Sequence, residues 1–209
     1  MSRTRLRIRF RKEGDLRLIS HRDLVRVFER LFRRAQLKLA MSQGFHPKPR
    51  MTLPSALGLG IEAKDELLEV ELVEPVDPEQ IAEKLRQLVP DGLVITSVHL
   101  LPEGEKKARL TRLIYEFPVP DERREQVETA LEQLLSQESY LIEREGRDKP
   151  IDVRECLLEI QLEEQRVTMV LPTGQQTSVR PREILAILGL DDLEGDGFYL
   201  TRTAVEIAS

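Results

Sequence analysis

The chain has 209 residues, of which 40% are hydrophobic and 33% are charged, so it can form one large domain or two small ones and is too apolar to be disordered. Its single cysteine, Cys156, excludes an internal disulfide and a cysteine-bound iron–sulfur cluster. No apolar run is long enough for a signal peptide or a membrane span, and we therefore expect a cytoplasmic protein that makes no membrane contact.

The net charge of −5 hides an uneven distribution. Residues 1–50 contain 15 Lys and Arg against 4 Asp and Glu, a net charge of +11, whereas residues 51–209 contain 17 against 33, a net charge of −16. Such asymmetry indicates that one segment meets an anion. Two interpretations are open: an external polyanion, with RNA as the expected one, or an internal complement in which the basic segment docks on the acidic part.

The first predicted element is a strand over residues 5–11, where apolar residues and arginines alternate with the period of a half-buried strand. Leu6, Ile8 and Phe10 form its core face. Arginine forks onto phosphate and stacks on bases, so the opposite face is a candidate RNA contact, although it also fits a solvated surface. That face consists of Arg5, Arg7, Arg9 and Arg11.

A helix follows over residues 21–36, with Ser20 as its N-cap and Asp23 at the third helical position. Its apolar residues recur at helical spacing and form a core face. Beside them runs a basic stripe, which either extends the RNA surface or is a solvated helix face. The stripe consists of Arg22, Arg26, Arg30 and Arg33.

Glycine and proline stiffen the loop over residues 42–50, which carries donors of several kinds. Stiff loops with mixed donors suit substrate or nucleic-acid contact, while the alternative is a sharp crossover between elements. Phe45 supplies a stacking ring or fills the core. The candidate contacts in the loop are Gln43, Phe45, His46, Lys48 and Arg50.

The remaining pattern predicts an α+β fold of tandem ferredoxin-like (βαββαβ) sandwiches, the second one irregular. With a strand near residues 50–57, residues 1–101 form a basic ferredoxin-like domain. Residues 102–109 are a polar linker, and residues 110–209 form an acidic α+β domain.

Catalytic signals are weak. His21 and His46 could form an acid–base pair for RNA cleavage, but no phosphate-binding glycine loop and no zinc-type cluster accompanies them. We therefore expect no cofactor and no metal, and a binding function more than an enzymatic one.

Two N-terminal motifs resemble the radical SAM-linked protein family, a bacterial domain of unknown function. They are Arg7-x-Arg9-Phe10-x-Lys12-x-Gly14-Asp15-Leu16-x-x-Ile19-Ser20-His21-x-Asp23-Leu24-x-Arg26 and Ser42-Gln43-Gly44-Phe45-x-Pro47-x-Pro49. The resemblance continues through Asp152-Val153-Arg154, Arg180-Pro181-x-Glu183-Ile184-Leu185 and Arg202. It implies association with a radical-SAM, cobalamin-binding protein, and this chain lacks the radical-SAM cysteines. Asn is common in the family where this chain has His46, which weakens a catalytic role for that residue.

The expected function is an RNA-binding accessory module that presents tRNA or rRNA to a radical-SAM modifying enzyme. Arg154, Arg180 and Arg202 are expected to complete the surface from the second half. Two alternatives stay open: a ferredoxin-like RNA endonuclease or processing enzyme that uses His21 or His46, and a protein-interaction module of a radical-SAM partner without RNA contact.

Overall fold

The computed structural model describes residues 4–174 and 178–208. The chain divides into two compact units, Met1–Arg109 and Leu110–Ser209. Each unit combines antiparallel strands with helices, which confirms the predicted mixed α+β class. Within the described ranges, no helix is long and apolar enough to cross a membrane.

The first unit contains six regular elements in the predicted order βαββαβ. They are β1 (Thr4–Lys12), α1 (His21–Arg34), β2 (Met51–Thr52), β3 (Glu62–Leu72), α2 (Pro78–Leu88) and β4 (Leu93–Leu100). Its strands lie in the order β4-β1-β3-β2, and each neighbouring pair is antiparallel. A short 3₁₀ helix, Gly14–Leu18, connects β1 to α1.

Strand β1 has the two faces that its alternation predicts. Leu6, Ile8 and Phe10 are 0% exposed and belong to one core with apolar residues of α1, α2, β3 and β4. The ring of Phe10 packs edge-on against Phe28 of α1, with centroids 4.8 Å apart. Because side chains alternate along a strand, the arginines of β1 point away from the helices.

Helix α1 begins as its sequence predicts. The side chain of Ser20 accepts a hydrogen bond from the amide of Asp23, and the Ser20 hydroxyl donates to the Asp23 carboxylate at 2.6 Å. The hydrogen bond from Ser20 is the main cause that lowers the pKa of Asp23. The helix ends at Arg34, two residues before the predicted end, and Gln36 has a φ of +55°.

The second unit contains a four-stranded sheet and a separate two-stranded ribbon. Its elements are β5 (Leu110–Pro118), α3 (Arg124–Ser136), β6 (Leu141–Ile142), β7 (Ile151–Asp152), β8 (Glu159–Glu163), β9 (Arg166–Pro172), α4 (Pro181–Ile187) and β10 (Thr201–Ile207). The sheet has the order β10-β5-β9-β8, and β6 pairs with β7.

Several predicted boundaries were wrong. Strand β2 covers two residues instead of the predicted 50–57, and β3 starts five residues before the predicted start at Leu67. The division into two units falls after Arg109, and that residues 102–109 are a linker stays a prediction. Whether each unit is an independent domain, and whether the two are tandem ferredoxin-like sandwiches, stays a prediction.

Candidate nucleic-acid interface

The arginines of β1 are engaged in ion pairs within the first unit. Arg5 and Arg7 contact Glu69 at 3.1 and 2.8 Å, Arg9 contacts Asp65 at 2.8 Å, and Arg11 contacts Glu13 at 3.1 Å. The side chains of Arg5, Arg7 and Arg9 are only 16–21% exposed. For this strand, the positive charge is therefore neutralised by carboxylates of the same unit, which is the internal complement that the charge asymmetry left open.

Glu69 is the centre of this arrangement. Its Oε1 accepts hydrogen bonds from Nε and Nη2 of Arg7 and from the amide of Ala108, and its Oε2 accepts one from Arg5. The residue is 5% exposed, and it faces Arg7 directly in the β1–β3 register. Two cations on neighbouring positions of one strand face thus share one buried carboxylate.

Other carboxylates complete the neutralisation. Arg7 also contacts Oε1 of Glu105 at 3.0 Å, and Arg5 donates to the backbone carbonyl of Glu105. Burial raises the pKa of Asp65, and the charge of the adjacent Arg9 opposes that rise. The strand arginines are thus positioned, but most of their charge is compensated before any ligand arrives.

Most arginines of α1, unlike those of β1, are exposed and form no ion pair within the described ranges. The exposed arginines of this helix are Arg22, Arg26, Arg30, Arg33 and Arg34. Only Arg26 has an acidic partner, Asp23, at 3.0 Å; across the described part of the chain the other four form no ion pair. They extend over about 18 Å of helix, at 1.5 Å per residue. These arginines are the exposed, largely uncompensated positive surface of the unit, hereafter the α1 stripe.

Helix α2 shows that the α1 stripe is not a general property of exposed helices in this unit. It belongs to the same core as α1, but its exposed positions mix acids and bases. Those positions are Glu79, Gln80, Glu83, Lys84, Arg86 and Gln87. The α1 stripe also lies on the helix side of the sheet, whereas the β1 arginines lie on the other side. The two basic sets therefore cannot form one continuous face.

The loop after α1 is held at its base and projects at its tip. Met41 and Pro49 form an isolated antiparallel bridge, the Ser42 amide donates to the Lys48 carbonyl at 2.8 Å, and the Lys48 amide donates to the Ser42 hydroxyl at 2.9 Å. Beyond this base, residues 43–48 are exposed. Phe45 has a relative exposure of 103%, so its ring is outside the core. The alternative that Phe45 fills the core is wrong.

A cleft of about 290 Å³ lies at the base of this loop. Its cations are Arg5, Arg50 and Lys107, and its carboxylates are Glu69 and Glu71. Arg50 contacts Glu71 at 3.3 Å, whereas Lys107 is exposed and without an acidic partner among the described residues. The cleft therefore has one more cation than carboxylates, and one of its cations is free to pair with a ligand.

His21 and His46 belong to different elements. His21 is the first residue of α1, whose 14 residues span about 20 Å, and His46 lies in the loop that follows the other end of this helix. The loop base is fixed to the end of β3, because Ala40 donates to Glu71 at 2.8 Å. That the two histidines form an acid–base pair stays a prediction.

The three predicted contacts of the second unit differ in accessibility. Arg180 is exposed and Arg154 is half-buried. Arg202 is 0% exposed, lies over the ring of Tyr115 and donates to its hydroxyl at 3.3 Å. A polyanion cannot reach a side chain with no exposed surface, so Arg202 is removed from the candidate surface.

Motif residues near these arginines have structural roles. Asp152 accepts hydrogen bonds from the amides of Tyr140 and Arg154, and its pKa is lowered chiefly by a hydrogen bond from Ser139. Glu183 accepts the Arg180 amide at 2.7 Å and is held by the forked guanidinium of Arg144. These contacts order a turn and the start of α4.

Sequence reasoning missed four participants. Arg34 extends the α1 stripe, Glu69 and Glu105 neutralise β1, and Lys107 lines the cleft. The acidic positions of β3 gave a signal, since Asp65, Glu69 and Glu71 share one strand face and carboxylates opposite an arginine strand favour cross-strand pairs. No group of His, Cys, Asp and Glu in residues 4–174 and 178–208 could hold a metal ion.

Comparison with known proteins identifies the family. The chain belongs to the family of uncharacterized proteins conserved in bacteria, DUF2344, whose model matches residues 5–181. No curated protein matches the chain. Among solved structures, it is similar to the crystal structure of an unknown protein from Galdieria sulphuraria, with 14% identity, a TM-score of 0.30 and full coverage of both chains. The DUF2344 match agrees with the bacterial, unknown-function family that the motifs indicate.

Proposed function

We propose that this DUF2344 protein is an RNA-binding accessory module that presents tRNA or rRNA to a radical-SAM modifying enzyme. The observation that carries the RNA part is the α1 stripe, in which four of five exposed arginines have no acidic partner among the described residues. Phosphate contacts by Lys and Arg supply most of the affinity of sequence-independent RNA binding. The radical-SAM part depends on the motif resemblance alone.

Binding has better support than catalysis. Of the two candidate histidines, His21 begins α1 and His46 lies in the loop that follows this helix, and neither has a cofactor or metal cluster predicted beside it. A binding surface requires only accessible cations in a fixed arrangement, and the α1 stripe provides it over about 18 Å of helix. Basic residues of the loop, His46 and Lys48, are exposed beyond the C-terminal end of the same helix.

We also propose that both units are ferredoxin-like sandwiches. The strands of each main sheet can be numbered one to four in chain order within their own unit. In both sheets the spatial order is then 4-1-3-2, from β4-β1-β3-β2 in the first unit and β10-β5-β9-β8 in the second. In that comparison the ribbon of β6 and β7 is an insertion between the first helix and second strand of the second unit. This arrangement leaves one sheet face of each unit without its own helices.

The test compares two variants that lose equal charge from the first unit. Arg22→Gln with Arg30→Gln removes two cations from the α1 stripe, while Lys64→Gln with Lys84→Gln removes two exposed cations elsewhere. Fluorescence anisotropy with a labelled tRNA transcript measures affinity. We expect the first variant to weaken binding about tenfold or more and the second to have a much smaller effect. Equal losses, or no binding by the wild-type protein, would contradict the proposal.

The accessory role needs its own measurement. A purified radical-SAM enzyme from the same genomic neighbourhood is given RNA with and without this protein, and the modified nucleoside is quantified. We expect a higher yield with the wild-type chain and a smaller gain with the Arg22→Gln, Arg30→Gln variant. An unchanged yield would contradict the presenting role while leaving RNA binding intact.

A further inference from the structure

Phe45 is the most exposed large apolar side chain of the described residues, at 103% against 61% for Leu141, the next highest. Exposure of a whole aromatic ring forfeits the stabilisation that its burial would give. The loop nevertheless carries the ring at its outermost part, on the far side of the Met41–Pro49 bridge from the core. The ring is therefore available for contact with a ligand.

The ring is also presented at a defined place. Two hydrogen bonds between Ser42 and Lys48 close the base of the tip, and the Arg50 amide donates to the Ala40 carbonyl at 2.7 Å one step further in. At the tip, Gly44 has a φ of +129°, a conformation that other residues adopt only with strain. A loop closed in this way loses less entropy on binding than an open one, and Phe has only two side-chain torsions to fix.

The neighbours of the ring favour a nucleobase over an apolar protein surface. Residues on either side of Phe45 at the tip are polar, small or basic: Gln43, Gly44, His46, Pro47 and Lys48. A protein-docking site would continue the apolar area around the ring, since large apolar patches mark such sites. A single aromatic ring among polar and basic side chains is instead typical of proteins that stack on unpaired bases and contact the adjoining phosphates.

The cleft at the loop base provides for those phosphates. Arg50, Lys107 and Ser42 line it together with Glu69 and Glu71, and Lys107 has no acidic partner in the described ranges. Ser42 and Pro49 belong both to the loop base and to the cleft lining, so the cleft adjoins the loop that carries the ring. The end of α1 lies seven residues before Met41, so Arg34, at the end of the α1 stripe, is within about 25 Å of the loop base.

We infer that Phe45 is a stacking contact for an unpaired base of the RNA ligand, so that the protein selects RNA with a single-stranded or bulged segment over a plain duplex or another polyanion. This inference builds on the proposed RNA binding. It assigns affinity to the α1 stripe and the preference for unpaired bases to the loop tip.

Because the chain contains no tryptophan, Phe45→Trp introduces a sole indole fluorophore at the tip. Leu141→Trp places the same fluorophore on an exposed apolar position of the second unit as a control. Each is titrated with an unstructured RNA oligonucleotide, a blunt RNA duplex of equal charge, and heparin as a base-free polyanion. We expect quenching of the Phe45→Trp signal by the unstructured RNA only, and no quenching of the Leu141→Trp signal.

Affinity provides the second readout. Phe45→Ala is expected to weaken binding of the unstructured RNA roughly tenfold, since stacking is worth about 1–3 kcal/mol per base, and to leave duplex binding unchanged. Phe45→Tyr should restore most of the loss. Melting temperatures check that the variants fold, which an exposed tip residue should not affect.

The outcomes separate this inference from the proposed function. Absence of quenching, or equal quenching by duplex and heparin, overturns the inference, whereas loss of affinity in the Arg22→Gln, Arg30→Gln variant would still support RNA binding. If no RNA binds the wild-type chain, both fail. If the Phe45→Trp signal responds only to the radical-SAM protein, the tip is a protein contact and the inference is wrong.

Discussion

The guanidinium of Arg7 donates two hydrogen bonds to Oε1 of Glu69, from Nε at 3.1 Å and from Nη2 at 2.8 Å. The two residues face each other across β1 and β3, and the carboxylate side chain is 7% exposed. Charge-assisted hydrogen bonds of this kind are about twice as strong as neutral ones, and their partners are costly to separate once buried. The Arg7–Glu69 pair therefore belongs to the stabilising interior more than to a ligand surface.

Replacing Glu69 with Gln should destabilise the first unit. The substitution leaves the guanidinium groups of Arg5 and Arg7 without their shared counter-charge, at a cost of roughly 2 kcal/mol given their partial exposure. Denaturant unfolding measures the loss. Glu103→Gln, at an exposed residue without an ion pair in the described chain, is the control and should be neutral. An equal effect of both substitutions would argue against the shared role of Glu69.

Salt dependence should report the number of phosphates that the protein contacts. If the α1 stripe covers four phosphates of a single strand, log affinity falls with log salt with a slope of about −2.8. Arg22→Gln with Arg30→Gln should reduce the magnitude of the slope by about 1.4, because each phosphate that is no longer neutralised accounts for about 0.7. Titrations at several salt concentrations measure both values. A slope that the double variant leaves unchanged would mean that RNA is bound elsewhere.

Ser20→Ala should destabilise the protein by about 1 kcal/mol, because it removes the N-cap of α1. Ser20→Thr keeps a hydroxyl that accepts from the Asp23 amide and donates to the Asp23 carboxylate, and should lie close to wild type. Thermal and denaturant unfolding distinguish the two. RNA affinity, measured where both variants are folded, should not change, since the cap orients the start of the helix without contributing a cation. Loss of affinity in Ser20→Ala that Ser20→Thr restores would indicate a direct role for the hydroxyl.

Arg202→Lys should reduce stability without affecting RNA affinity. The planar guanidinium lies 5.8 Å from the centre of the Tyr115 ring and donates to its hydroxyl, a geometry that an ammonium group does not reproduce. A loss of roughly 2 kcal/mol is expected for this change at a 0% exposed site. Weaker RNA binding with unchanged unfolding would return Arg202 to the binding surface.

The acid stability of the second unit should depend on Glu183. Burial raises the pKa of this carboxyl, but hydrogen bonds from Arg144 and from the Arg180 amide outweigh burial and lower the net pKa below its usual 4.5. Between the lowered pKa and the usual one, Glu183 therefore stays ionised in the folded protein, whereas in the unfolded chain it takes up a proton. Stability from this group is present above the usual pKa and is lost as the pH falls through the lowered one.

Melting temperatures between neutral pH and about pH 3 test this expectation. Glu183→Gln should lower stability at neutral pH and flatten its decline in acid. Glu145→Gln, at an exposed carboxylate without a partner in the described residues, should keep the wild-type profile. A variant curve parallel to that of the wild type over the whole range would show that Glu183 is not the responsible group.

Local pattern predicted much of the first unit. The alternation of β1 identified its core face, and Ser20 located the start of α1, because both signals depend on neighbouring residues. Strand β3 was placed too late because its first half, Glu62-Ala63-Lys64-Asp65-Glu66, is charged and rich in poor strand formers. Pairing with β1 imposes the strand there, and pairing partners are distant in sequence.

The sequence predicted which residues belong to the candidate site, but not which of them are exposed and which are already paired with carboxylates. Charge counts do not tell a paired arginine from a free one, since Glu69 and Asp65 are more than fifty residues from their partners in β1. The sharpest sequence signal, the arginine strand, therefore turned out to be largely compensated, and the weaker helix stripe is exposed. Likewise, nothing in the local sequence distinguished Phe45 on a loop tip from Phe45 in a core.

Pairing on β1 changes what an approaching RNA senses at a distance. Each Arg–carboxylate pair is a dipole, whose field falls off more steeply than that of a single charge and is further weakened within one Debye length, about 8 Å at physiological ionic strength. Most arginines of α1 are single charges without a carboxylate partner in the described chain, so their electrostatic field extends further from the surface. Helix α1 should consequently govern the rate of encounter and the orientation in which RNA arrives, while the strand arginines respond only after contact.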